Sequence, residues 1–153
     1  MENKFTKTLV KELVERSFKT SSSHGFHDEE HSDEHYMMLV VSEIGEMVEA
    51  DRKNRHANLS MFHDNCNTPQ AKGHEQKHWD FCFEKFVKDT FEDELSDVVI
   101  RLFDYLGTIN TLPFMLEDGF VGMSKEFDEL FGKYSTCEHC YALTSLVMEI
   151  ARS

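Results

Sequence analysis

The sequence predicts an all-α fold, a helical bundle of about four to six helices. Three observations predict it. Apolar residues recur at three- and four-residue spacing over long stretches instead of alternating. Two Pro and seven Gly in 153 residues are too few for a turn-dense β fold. A composition that is 40% hydrophobic and 29% charged is that of a globular chain. The length fits one domain over 1–153, long enough to bury a core without staples.

The first helix is expected over 4–19, where Phe5, Leu9, Val10, Leu13, Val14 and Phe18 fall at helical spacing. The run Thr20-Ser21-Ser22-Ser23-His24-Gly25 reads as a break. A polar, His-rich stretch follows over 26–35. From about Ser32 a strong helix runs to about Asn54, with Ser32 and Asp33 as its N-cap. Its apolar stripe is Met37, Val40, Val41, Ile44, Met47 and Val48, with Leu39 and Ala50 on a second line. Residues 55–83 read as irregular, with a short helical pattern near 74–83. A second strong helix is expected from about Glu84 to Leu106, carrying Phe91, Leu95, Val98, Val99, Leu102 and Leu106, with Gly107 as C-cap. Two further helices are expected over about 112–132 and 138–151.

Charge excludes some classes of function. With 29 acidic against 16 basic residues the net charge is −13. No nucleic acid and no membrane surface is expected as a partner, because both need a basic face. The amino-terminal residues carry no apolar leader and no stretch of 18 apolar residues occurs, so a cytoplasmic location is expected. The four Cys are then read as reduced thiols.

The chemistry is carried by two acidic pairs. Glu43-Ile44-Gly45-Glu46 is E-x-x-E on one strong helix; Glu94-Leu95-Ser96-Asp97 is E-x-x-D on the other. Residues three apart share a helical face. Around the helix, Glu43 falls between Leu39 and Ala50 on one side and Tyr36 and Met47 on the other, and Glu94 falls beside Phe91 and Val98. These acids border the apolar stripes, whereas a solvated charge run would lie opposite them. Carboxylates that converge between helices must take up protons or bind hard cations. Oxygen ligands alone select Mg²⁺, Mn²⁺ or Ca²⁺. The bland alternative is an ordinary solvated face, which a single E-x-x-E usually is.

The string from Leu39 to Ala50, LVVSEIGEMVEA, followed by EDELSDVVIRLFD from Glu92 to Asp104, resembles the MazG-like all-α nucleoside triphosphate pyrophosphohydrolases. The resemblance covers about 36–54 and 90–107. It implies a Mg²⁺-dependent enzyme, with Mn²⁺ as a possible substitute, that cleaves a nucleoside triphosphate to the monophosphate and pyrophosphate. The metal ligands it implies are Glu43, Glu46, Glu94 and Asp97, with Glu43 or Glu46 as base towards water. It also implies a homodimer or homotetramer. The spacing between the pairs is longer than the family's usual one, so 55–88 reads as an insertion.

Substrate-binding candidates follow. Lys53 and Arg101 are cations near the acids. Their ordinary roles would be helix C-terminal charge for Lys53 and an i,i+4 partner of Asp97 for Arg101. Asp104 stands where some members of the resembled family carry Asn. Phe26 could stack on a base and His35 could hydrogen-bond one, against a bland reading as surface loop and helix start. His27, His31 and His35 repeat every fourth residue and would share one stripe if helical. Cys137-Glu-His-Cys140 is a lone C-x-x-C; Cys66, His74, His78 and Cys82 could complete a zinc site only if their segment folds back. Two rival classes stay open: a non-catalytic metal-binding bundle and a helical protein-interaction module. A ferritin-like di-iron site is disfavoured, since neither pair contains His.

Overall fold

The computed structural model describes residues 7–66, 68 and 74–110, with the side chains of Lys7 and Thr8 excepted. The fold is all-α, and the described residues contain five helices and no strand. They are α1 (Lys7–Ser23), α2 (Asp33–Arg52), α3 (Leu59–Cys66), α4 (Glu75–Phe86) and α5 (Phe91–Thr108). The helices expected over 112–132 and 138–151, Phe5, and the Cys137–Cys140 pair lie outside the described residues.

The chain divides into two compact units. One holds the described residues up to Ser42 and from Val98 on; the other runs from Glu43 to Asp97. In the first unit Val14, Tyr36, Met37, Val40, Val98 and Phe103 are buried, and in the second Ile44, Met47, Ala50 and Cys82. Met37, Val40, Ile44 and Met47 of the predicted α2 stripe are buried, whereas Val41 and Val48 are only half-buried. On α5 the buried line differs: Val99 is exposed and Phe103 is buried.

Three boundaries moved, each for a physical reason. α1 continues through the serines expected to break it, because they bond back into the helix. Ser22 Oγ donates to the Phe18 carbonyl at 2.8 Å and Ser23 Oγ to that of Thr20 at 2.7 Å. The long helix expected from Glu84 is instead two helices. α4 ends at Phe86 with Val87 as its C-cap, and Asp89, at φ 57°, adopts a left-handed conformation in the turn before α5. Thr90 then caps α5, its Oγ1 accepting the Asp93 N–H at 3.4 Å, while the Asp93 carboxylate accepts the Asp89 N–H at 3.0 Å. Gly107 is not a C-cap but lies inside α5. A Cβ there would stand 2.4 Å from the Cβ of Phe18 on α1, so the glycine permits the close approach of the two helices. Residues 24–32 are turns and loop, not helix, which removes the supposed histidine stripe; Gly25 at φ 82° sets the turn.

Candidate functional site

Each member of the acidic group in the second unit is placed by a strong local signal. Glu43 and Glu46 stand one turn apart on α2, on the flank of Ile44 and Met47, which are buried. Glu94 stands one turn before Val98 on α5, and at 7% exposure it is buried. The Thr90 cap, one turn before Glu94, fixes where that helix starts. One carboxylate oxygen from each of Glu43, Glu46 and Glu94 lies within 4.8 Å of the other two. Among the described residues no other group of three or more His, Cys, Asp or Glu side chains meets that distance.

The electrostatics match this crowding. Burial first, and then the charges of Glu46, Asp93, Asp97 and Glu43, push the Glu94 carboxyl up to about 7. Asp97 therefore acts on Glu94 through charge, although it is not one of the three oxygens in mutual reach. Glu46 is exposed and Glu43 half-buried, so the group opens to solvent on the α2 side. An all-oxygen donor set of crowded carboxylates fits a hard divalent cation.

The remaining sequence candidates fall into two groups. Lys53, just past the end of α2, pairs with Glu49, Nζ to Oε1 2.8 Å, and both side chains are exposed. The other candidates lie in the first unit. The Arg101 guanidinium lies 5.3 Å over the ring of Phe26, which is exposed. Phe26, His35, Tyr36, Leu39 and Asp104 help line a cavity of about 300 Å³, at the small end for a ligand cleft. His35 stacks on His31 at 4.1 Å between ring centroids.

Sequence reasoning missed the residue that organises this cavity wall. His27 bridges Tyr36 and Asp104: its Nδ1 is 3.2 Å from Tyr36 Oη and its Nε2 is 2.8 Å from Asp104 Oδ1. A carboxylate can only accept, so Nε2 carries the proton towards Asp104. In the neutral ring Nδ1 then accepts from the Tyr36 hydroxyl. Phe18 packs on the other side of the His27 ring, 4.7 Å between centroids. The string His24-Gly25-Phe26-His27 drew attention to the region but not to this role, which needs a partner 77 residues away.

No protein-family profile, curated protein or solved structure matches the chain. No described helix is long and apolar enough to cross a membrane.

Proposed function

We propose that the protein is a Mg²⁺-dependent nucleoside triphosphate pyrophosphohydrolase, releasing pyrophosphate and the monophosphate. One observation carries the reading: Glu43, Glu46 and Glu94 bring three carboxylate oxygens within 4.8 Å of one another from two helices. The sequence resemblance in those same two helices supplies the reaction class. When bound, the divalent cation supplies charge neutralisation for a triphosphate and lowers the pKa of water.

The chain's own residues do the rest. Glu43, Glu46 and Glu94 hold the cation, with Asp97 adding negative charge beside Glu94. Glu46, the exposed member, accepts a proton from the attacking water. Glu94, pushed up to about 7, holds or yields a proton near neutrality unless a cation displaces it. Lys53, in the same unit as the three acids, is proposed as a phosphate contact.

The experiment is a pyrophosphate-release assay with Mg²⁺ or Mn²⁺ over the ribo- and deoxyribonucleoside triphosphates, run beside Glu46→Gln and Asp97→Asn. Release by the wild type and its loss in Glu46→Gln supports the reading. A folded wild type that binds Mg²⁺ and hydrolyses none of the panel favours a non-catalytic metal-binding protein.

A further inference from the structure

The second unit holds a basic cavity in a chain whose net charge is −13. Its volume is about 540 Å³, within the range of small-ligand sites. Arg55, Lys85 and Lys88 line it, against one carboxylate, Asp89. With His56 neutral, that leaves two positive charges on the lining. His56 also lines it, its Nδ1 3.3 Å from Glu92 Oε1.

The backbone builds this cavity. Its walls are residues 53–58, after α2, and residues 87–90, between α4 and α5. Three hydrogen bonds lock the two segments together. Asn58 N–H donates to the Phe86 carbonyl at 2.8 Å and Phe91 N–H to the Arg55 carbonyl at 2.9 Å. Ala57 N–H donates to Glu92 Oε2 at 2.7 Å. Asn54 at φ 52° and Asp89 at φ 57° turn the chain at the two walls, and both residue types tolerate that conformation. The cavity is therefore preformed, which lowers the ordering cost of binding. Lys85 Nζ lies over the rings of Phe81 and Phe86, 5.7 and 5.0 Å from their centroids, and these rings leave its charge uncancelled. Lys88 Nζ is 3.5 Å from Glu84 Oε1, an exposed pair that contributes little and yields to a stronger anion.

We propose that this cavity binds a phosphate-bearing anion with at least two negative charges, pyrophosphate being the simplest. A cleft lined by one sign of charge concentrates the opposite sign, and two net positive charges favour a polyanion. The residues and the sign differ from those of Glu43, Glu46 and Glu94, so the site stands whether or not the hydrolase reading does. The two are nonetheless neighbours along the chain. Thr90 lines the cavity, and its carbonyl accepts the N–H of Glu94 at 3.0 Å. Free pyrophosphate and the phosphate chain of a nucleotide share the required chemistry.

The test is calorimetric titration of the full chain with pyrophosphate, in chelator so that no divalent cation takes part. One saturable site is expected, weakening as salt rises. Lys85→Gln with Lys88→Gln should weaken binding about fivefold for each charge removed, and Lys85→Arg should bind as wild type. Asp89→Asn should tighten binding about fivefold, the opposite sign. Glu46→Gln should bind as wild type, which separates failure of this site from failure of catalysis. Displacement of pyrophosphate by adenosine triphosphate but not by adenosine assigns the cavity to a nucleotide's phosphate chain; no displacement by either assigns it to the free anion. Both results support the site. It is overturned by absence of saturable binding at low salt, by a double lysine variant that binds as wild type, by an Asp89→Asn variant that binds no tighter, or by loss of binding in Glu46→Gln. All the substituted side chains are exposed, and circular dichroism checks that each variant is folded.

Discussion

His27 Nε2 donates to Asp104 Oδ1 at 2.8 Å, and the carboxylate it meets is 3% exposed. This bond joins the loop before α2 to α5 across 77 residues of sequence. A carboxylate this buried keeps its charge cheaply only while it has a donor. His27→Ala should therefore cost roughly 1–3 kcal/mol, the penalty for a buried acceptor left unmade. Asp104→Asn in the His27→Ala background should return part of that loss, because the charge goes with the donor. Urea unfolding of the three proteins decides it; equal stability of wild type and His27→Ala would show the bond to be worth nothing.

Two glycines should respond in opposite directions to the same substitution. Gly107→Ala puts a methyl 2.4 Å from the Phe18 Cβ, an atom fixed to its backbone. α1 and α5 must then move apart, at a cost of about 1–3 kcal/mol. Gly45 lies inside α2, and a Cβ there meets nothing within 4 Å. Gly45→Ala should stabilise by up to about 1 kcal/mol through helix propensity. Paired thermal melts read both signs, and a stabilised Gly107→Ala would refute the close approach.

The helix class and the acidic positions were legible because both are local. Met37, Val40, Ile44 and Met47 keep a helical period, and Glu43 and Glu94 border apolar residues in the one-dimensional pattern itself. What failed to show was non-local or conformational. The 2.4 Å approach at Gly107 depends on Phe18. The bridge at His27 depends on Asp104. The break before α5 depends on the left-handed Asp89 and on the Thr90 cap.

That cap is itself testable. Thr90 Oγ1 accepts from Asp93 N and donates to the Val87 carbonyl, so one hydroxyl closes α4 and opens α5. Thr90→Val keeps the shape and removes both bonds. It should cost about 1–2 kcal/mol, while Thr90→Ser should stay near wild type. Chemical denaturation compares them; a valine variant as stable as the serine one would deny the cap any energetic part.

Glu94 ties stability to pH in the metal-free protein. Its carboxyl is pushed up to about 7 in the folded chain, against an ordinary value of 4.5. Folding therefore favours the protonated form. The contribution is fully favourable below about 4.5, is lost as pH rises through the interval to about 7, and stays lost above it. Glu94→Gln removes this penalty. In chelator it should exceed wild-type stability by about 1–3 kcal/mol at pH 8, a margin that closes near pH 5. Adding Mg²⁺ should reverse the order, because wild type then has a cation to neutralise the crowded carboxylates and the variant has lost the charge of one of the three carboxylates that converge. Denaturation curves with and without Mg²⁺ at the two pH values separate the effects. A glutamine variant that is less stable in chelator at pH 8 would mean that Glu46, Asp93, Asp97 and Glu43 do not burden Glu94 as their placement implies.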